Sequence, residues 1–156
     1  MATLHIPTPI GWLRIAGTAA AIREVRRVDA PAPDTEPVPP LLRDCARQLE
    51  EYFRRARQTF ELPLDYADAP PFHRKVWDAL RQIPYGHTTS YLAIARQLGD
   101  PKAVRAVGQA NRANPIAIII PCHRVIAANG ELQGYFYGLD VKRQLLELEN
   151  PRSFAR

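Results

Sequence analysis

The chain has 156 residues, of which 46% are hydrophobic and 24% charged, an ordinary globular composition with room for one medium or two small domains. It has no run of about 18 apolar residues and no basic N-terminal segment followed by a long apolar core, so we expect neither a membrane span nor a signal peptide. The two cysteines, Cys45 and Cys122, are too few for a disulfide framework. A protein of the reducing cytoplasm is therefore predicted.

The net charge of +5 is unevenly distributed. Residues 1–69 contain 9 basic and 10 acidic side chains, whereas residues 70–156 contain 12 basic and 6 acidic ones. A basic excess favours a polyanionic partner, most commonly nucleic acid. A solvated basic surface that improves solubility explains the charge equally well.

The first part of the chain predicts a small β-sheet and one helix. Apolar residues grouped around turn residues indicate strands at residues 3–6, 12–15 and 20–28. A proline-rich loop follows, and then a helix over about residues 41–57, whose apolar stripe contains Leu42, Cys45 and Leu49. Its position in this stripe predicts that Cys45 is a buried structural residue.

The strand and linker signals after this helix predict a domain boundary. Residues 59–64 indicate a further strand, and the Asp, Ala and Pro residues of segment 65–71 indicate a linker. The predicted domains are therefore residues 1–68 and residues 69–156.

The second domain is predicted to be mainly helical. Apolar residues at helical spacing predict a helix over 72–83, and Ser90 is placed to cap a helix that runs to Leu98. Gly99-Asp100-Pro101 interrupts the chain before a helix over 102–112, and a last helix spans 140–149. Two short helices joined by a glycine-containing turn are typical of a helix-turn-helix, although any helical hairpin shares this pattern.

Residues 120–125 place a cysteine directly before a histidine. The apolar run at 116–120 predicts a buried strand or extended segment that ends near Cys122. A thiol attacks as its thiolate, and the His123 imidazole is of the type that accepts such a proton near neutral pH. Adjacent strand residues face opposite ways, so cooperation requires an irregular turn, which Pro121 favours. An orienting carboxylate has to come from elsewhere, and Glu147 and Glu149 on the last helix are candidates.

A metal site is not expected. The four histidines show no pairing at ligand spacing, and the chain has no Cys-x-x-Cys motif.

Several motifs in residues 70–150 occur together in a fixed order. They are Val76-Trp77-Asp78-Ala79-Leu80, Ile83-Pro84-Tyr85-Gly86, Ser90-Tyr91, Arg105-Ala106-Val107-Gly108, Asn114-Pro115 and Ile120-Pro121-Cys122-His123-Arg124-Val125. Gly134-Tyr135, Gly138-Leu139, Lys142 and Leu145-Leu146 continue the series. This half of the chain closely resembles the alkylguanine-DNA alkyltransferases. Gly11-Trp12-Leu13 and the segment around Tyr52 resemble the variable N-terminal domain of that family more loosely.

The resemblance implies an α+β fold of two domains. Residues 1–68 would form a ribonuclease H-like support domain, a β-sheet of three or more strands with a helix. Residues 69–156 would form a winged helix-turn-helix-like domain that binds DNA and transfers the alkyl group. The implied partner is double-stranded DNA that contains O6-alkylguanine, and no cofactor is implied. We expect a monomer that does not bind membranes.

The implied reaction is DNA repair in a single turnover. The base is flipped out of the duplex, and its alkyl group is transferred irreversibly to Cys122. The resemblance implies that His123 acts through a water as the base, that Glu149 orients His123, that Asn114 braces the turn, and that Tyr91 donates a proton to guanine N3. Glu149 is thus indicated both by the resemblance and by its place on the last helix.

The resemblance also implies a DNA surface and a base pocket. Arg105 would enter the gap left by the flipped base, and other implied DNA contacts are Ala103, Ala106, Gly108, Ser90 and Arg112. The backbone carbonyls of Cys122 and Val125 would accept hydrogen bonds from the guanine amine. The implied pocket residues are Pro121, Val125, Tyr135, Phe136, Tyr137 and Trp77.

One two-residue segment departs from the family pattern. Small residues are common there after Gly134-Tyr135, whereas this chain has Phe136-Tyr137. The larger side chains predict poorer acceptance of bulky adducts such as benzyl groups, and equal rates with methylated and benzylated guanine would contradict this.

Two other functions stay open, namely a lesion-recognition module that does not transfer and a cysteine hydrolase that turns over repeatedly.

Overall fold

The computed structural model describes residues 1–35, 37–132, 135 and 137–154. Their contacts group the chain into two units, residues 1–66 with 115–119 and residues 67–114 with 120–156. The first unit holds a β-sheet and a helix, and the second is mainly helical. The predicted α+β class is confirmed.

The first unit contains a three-stranded antiparallel sheet. Its strands are β1 (Ala2–Thr8), β2 (Gly11–Gly17) and β3 (Ile22–Val28), in the order β1-β2-β3. Helix α1 (Pro40–Phe53) begins with a proline at its first position and packs on this sheet. Its stripe is buried, and Cys45 has no exposed surface, as predicted. Burial raises the pKa of the Cys45 thiol to about 12, so this thiol is unreactive near neutral pH.

The predicted strand at residues 59–64 is wrong. Only Leu64 forms an isolated bridge, to Ile22 of β3, through a bond from the Ile22 N–H to the Pro63 carbonyl (2.8 Å) and one from the Asp65 N–H to the Ile22 carbonyl (2.9 Å). Pro63 has no N–H to extend the ladder. Helix α1 also ends at Phe53, four residues before its predicted end.

The isoleucine-rich segment is buried as predicted but is not a strand. Ile116 forms an isolated parallel bridge with Val25, and the Val25 N–H donates to the Pro115 carbonyl at 3.0 Å. The chain then reverses at Ile118, which has a φ of 72° and lies under a 2.8 Å bond from the Ile119 N–H to the Ala117 carbonyl. This geometry is a strained γ-turn, unusual for a β-branched residue.

The second unit contains the helix-turn-helix. Helix α2 (Pro71–Leu80) packs against α4 (Val104–Arg112), and α3 (Tyr91–Gln97) packs against α4 as well. A 3₁₀ turn over Pro101–Ala103 precedes α4, where an uninterrupted helix from residue 102 is predicted. Ser90 caps α3 as predicted, since its Oγ accepts a bond from the Ala93 N–H at 3.0 Å.

Short strands and two further helices complete this unit. Strand β4 (Thr89–Ser90) pairs in parallel with β5 (Val125–Ile126). Helices α5 (Leu139–Glu149) and α6 (Pro151–Phe154) follow. No helix in the described part of the chain is long and apolar enough to cross a membrane.

Candidate active site

Cys122 lies in a 3₁₀ turn formed by Cys122–Arg124. Pro121 precedes it with φ −81° and ψ 63°, and the Cys122 N–H donates to the Ile120 carbonyl at 2.8 Å, an inverse γ-turn. The Arg124 N–H then donates to the Pro121 carbonyl at 3.0 Å. This is the irregular turn that an adjacent cysteine and histidine require in order to cooperate.

Asn111, in the last turn of α4, and Asn114, two residues after that helix, hold this turn. Asn114 Nδ2 donates to the Ile120 carbonyl at 2.8 Å, and Asn111 Nδ2 donates to the Cys122 carbonyl at 3.2 Å. The carbonyls on both sides of Pro121 are therefore fixed by side chains. The sequence analysis named Asn114 but missed Asn111, which lies three residues before it.

His123 is fully buried and paired with Glu149. The distance from His123 Nε2 to Glu149 Oε2 is 2.6 Å. An ionised carboxylate only accepts hydrogen bonds, so we assign the imidazole proton to Nε2. The other ring nitrogen, Nδ1, is buried and has no partner among the residues that the structure describes. It is therefore the nitrogen that is able to accept a proton.

Arg124 completes a buried network around the same carboxylate. Its Nε donates to Glu149 Oε1 at 2.7 Å and its Nη2 to Oε2 at 3.1 Å, while its Nη1 donates to the Ile83 carbonyl at 2.7 Å. Burial acts to raise the pKa of Glu149, but His123 and Arg124 outweigh it and hold this pKa well below its usual range. Glu149 is thus ionised at neutral pH and lies behind His123. The sequence analysis assigned no role to Arg124.

The Cys122 thiol is buried, which raises its pKa. The Asn114 side chain, Lys142 and the Tyr135 hydroxyl act in the opposite direction. Lys142 is fully buried and its Nζ donates to the Val125 carbonyl at 2.6 Å. Burial lowers the pKa of Lys142 to about 8, so its charge is only partly retained above that pH. The site therefore combines a thiol that stays protonated at rest with groups that favour the thiolate.

Tyr91 and Tyr135 lie near Cys122. Tyr91 begins α3, and its ring centroid lies 5.8 Å from Lys142 Nζ. Burial, followed by the charge of Cys122, raises the pKa of Tyr91, which keeps its hydroxyl protonated and able to donate. Tyr135 is buried, with its ring centroid 5.6 Å from that of Tyr137. The prediction for Phe136 lies outside the described residues.

The remaining predicted site residues fall into two places. Trp77 lies in the helical core, where its Nε1 donates to the Ala110 carbonyl at 2.8 Å, so its role in a base pocket stays a prediction.

Most of the predicted DNA contacts lie on α4, and Ala103 lies directly before it. Arg105 and Arg112 are exposed, whereas Ala103, Ala106 and Gly108 are partly exposed. A Cβ built on Gly108 meets no atom within 4 Å, so the fold itself does not require glycine.

Within residues 1–35, 37–132, 135 and 137–154, no group of three His, Cys, Asp or Glu side chains is placed to hold an ion.

Comparisons with known proteins cover nearly the whole chain. Residues 71–151 match the DNA binding domain of 6-O-methylguanine DNA methyltransferase, and residues 3–66 match its ribonuclease-like domain. The methylated-DNA–protein-cysteine methyltransferase of Methanosarcina acetivorans is 45% identical over 148 residues, which are 91% of this chain and 94% of that protein. The Mycobacterium bovis protein of the same name is 44% identical over 154 residues, 96% of this chain and 93% of that one.

Solved structures of methyltransferases are also similar to this chain. The Mycobacterium tuberculosis OGT in complex with DNA superposes with a TM-score of 0.85 at 45% identity and covers 97% of this chain and 94% of that one. The O6-methylguanine-DNA methyltransferase of Pyrococcus kodakaraensis is 21% identical with a TM-score of 0.62, and shares the fold. Both domain matches and both sets of relatives agree, and the chain belongs to the 6-O-methylguanine DNA methyltransferase family.

Proposed function

We propose that this protein repairs DNA by transferring an alkyl group, such as methyl, from O6-alkylguanine to its own Cys122. The observation that carries the proposal is the 3₁₀ turn that presents Cys122 beside the buried His123–Glu149 pair. Family membership supplies the substrate class, O6-alkylguanine in double-stranded DNA. No cofactor enters the reaction, because the damaged base itself brings the alkyl group.

His123 serves as the base through a water. Its Nε2–H is held by Glu149, so the Nδ1 lone pair is the remaining proton acceptor. The thiol proton passes to the water and from there to Nδ1, and the resulting imidazolium lies against the ionised Glu149 carboxylate. Arg124 keeps that carboxylate ionised. Glu149 therefore stabilises charge and orients the ring without accepting the proton itself.

Alkyl transfer forms a carbon–sulfur bond and breaks the bond between the alkyl carbon and guanine O6. The electron pair of the broken bond remains on the guanine, which takes a proton at N3 from Tyr91. The product is a thioether, which has no acidic proton and no good leaving group. Each molecule therefore reacts once, and the reaction is stoichiometric.

The helix-turn-helix binds the duplex and holds the target base outside the stack. Helix α4 presents Arg105, which fills the space in the duplex, and a surface of small residues that admits the DNA backbone closely. Flipping is required because the alkyl carbon is inaccessible within the stack, and unstacking costs a few kcal/mol. Residues 69–156 carry this chemistry in our proposal, with residues 1–68 as a support domain. We place the protein in the cytoplasm, where a reducing environment keeps the Cys122 thiol available.

Mass spectrometry after mixing with duplex DNA that bears one O6-methylguanine tests the proposal. One methyl group on the Cys122 peptide, with no more than one equivalent of lesion consumed, is the expected result. Cys122→Ser should bind the duplex but remain unmodified. Tight binding of the wild-type protein without modification would identify a lesion-recognition module, and repeated turnover would identify a hydrolase.

A further inference from the structure

The carboxylate that orients His123 lies at the end of a helix. Glu149 is the last residue of α5, and its Oε2 lies 2.6 Å from His123 Nε2. The last four carbonyls of a helix have no partner within it, so helix ends fray more readily than helix interiors. Contacts from outside the helix are therefore needed to keep Glu149 in place.

Asn150, the residue after Glu149, supplies several of these contacts. Its N–H donates to the Leu146 carbonyl at 2.8 Å, which closes the last turn of α5. Its side-chain Nδ2 donates to the Gly86 carbonyl at 2.9 Å, 64 positions away in the sequence, and its Oδ1 accepts the Ser153 N–H at 3.3 Å. Asn150 thus joins the helix end to a turn that is distant in the sequence.

The turn at residues 83–86 touches the helix end at a second point and also holds Arg124. The Tyr85 hydroxyl donates to the Leu148 carbonyl at 3.4 Å. The Ile83 carbonyl accepts Arg124 Nη1 at 2.7 Å, and the Arg124 guanidinium carbon lies 5.7 Å from the centroid of the Tyr85 ring. This one turn therefore fixes both the helix end and the guanidinium that binds the same carboxylate.

The backbone of Gly86 approaches the helix end closely. Gly86 has a φ of 79°, a conformation that glycine adopts without steric cost. A Cβ built on it would lie 3.4 Å from the Glu149 carbonyl oxygen, which is van der Waals contact. The turn thus packs directly against the residue whose side chain binds His123, and the Asn150 hydrogen bond holds the two segments together.

We propose that Asn150 is a positioning residue, which keeps the Glu149 carboxylate within reach of His123 through its hydrogen bond to the Gly86 carbonyl. The inference rests on the function proposed above. Asn150 acts on methyl transfer only through Glu149. Since a misplacement of about 1 Å costs on the order of 100-fold in rate, even partial loosening of the helix end should slow the reaction measurably.

Asn150→Asp and Asn150→Ala test this role. The aspartate retains an oxygen for the Ser153 N–H but lacks the donor to Gly86, and the alanine lacks both groups. The rate constant of methyl transfer to Cys122 is measured in single turnovers at saturating O6-methylguanine duplex, at a temperature where circular dichroism shows every variant folded. Each variant should be about tenfold slower than wild type, with unchanged affinity for the duplex. Gln144→Glu, an amide-to-carboxylate change at an exposed position of α5, is the control and should retain the wild-type rate.

A double substitution separates positioning from general support of the fold. If Asn150 acts through Glu149, Asn150→Ala should change the rate of a Glu149→Gln protein by less than about twofold, because the carboxylate that it positions is already gone. Equal slowing by Asn150→Ala in both backgrounds would overturn the inference, and so would wild-type rates in both Asn150 variants. Absence of methyl transfer by the wild-type protein would instead refute the proposed function, and the inference with it.

Discussion

Glu149 Oε2 lies 2.6 Å from His123 Nε2, although the two residues are 26 positions apart in the sequence. Both side chains are almost completely buried, and Arg124 binds the same carboxylate through two of its nitrogens. A buried carboxylate that accepts hydrogen bonds from a guanidinium and from an imidazole N–H remains ionised near neutral pH. The His123 ring is thereby fixed in one orientation, with Nδ1 as the nitrogen that the proposed mechanism uses as the base.

Replacement of Glu149 by Gln should slow methyl transfer by about 100-fold, the loss expected when general-base catalysis fails. The neutral amide neither stabilises an imidazolium nor imposes the Nε2–H tautomer. Single-turnover kinetics with O6-methylguanine duplex measure the rate. Glu147→Gln, on the same helix, should stay within about twofold of wild type. Equal rates for the two variants would contradict the assignment of Glu149.

Glu149 should also make the protein sensitive to acid. Its folded-state pKa is depressed, so its contribution to stability is complete above the unfolded-state pKa of about 4.3 and is lost as the pH falls below that value. The free energy of unfolding, measured in urea from about pH 6 to about pH 3, should therefore fall more steeply in the wild type than in Glu149→Gln. Parallel curves would show that the carboxylate is not selectively stabilised by folding.

Lys142 should lower the pKa of the Cys122 thiol. Lys142→Met removes a buried positive charge and should slow iodoacetamide modification of Cys122 by about fivefold at neutral pH, equivalent to about 1 kcal/mol of charge interaction. The difference should shrink as the pH rises above about 8, where Lys142 loses its proton. Arg143→Met, at an exposed neighbouring position, is the control. An unchanged thiol titration in Lys142→Met would refute the prediction.

Gly108→Ala should separate stability from DNA binding. The added methyl group meets no protein atom within 4 Å, so alanine should stabilise α4 by about 0.5–1 kcal/mol. The same methyl group should obstruct close approach of DNA and weaken binding, as measured by fluorescence anisotropy with unmodified duplex. Gln144→Ala, on α5, should leave DNA affinity unchanged. A more stable Gly108→Ala protein with wild-type affinity would exclude a close contact at this position.

Arg105 should matter only when a base has to leave a duplex. Arg105→Ala should slow the reaction with O6-methylguanine in duplex DNA by at least about tenfold, because the gap left by the base is no longer filled. Its reaction with the free base O6-methylguanine should match wild type. Arg143→Ala tests whether loss of any exposed positive charge has the same effect. Equal slowing with the free base would mean that Arg105 acts on the chemical step instead.

The local elements were predictable because their causes lie within a few residues. The apolar stripe of α1, the Ser90 cap and the break after Leu98 all depend on neighbouring positions. Gly99 supplies the turn with a φ of 87°, a conformation that glycine adopts without steric cost.

The strand predictions failed in segments that lack a neighbouring strand to pair with. Residues 59–64 have strand-like composition, but only Leu64 meets a partner, Ile22. The isoleucine run is buried as its composition indicates, yet the turn at Ile118 breaks it. A strand is stable only with a neighbour to complete its hydrogen bonds, and the sequence of one segment does not specify that neighbour.

The sequence by itself determined the candidate pair Cys122-His123, the helix-turn-helix and, through its ordered motifs, the family. Only the tertiary structure decided which polar side chains serve the pair. The sequence assigned no role to Arg124, Lys142 or Asn111, yet all three are buried and hydrogen-bonded around the Cys122 turn. Burial of a polar group is favourable only when distant segments supply its partners, and packing alone brings those segments together.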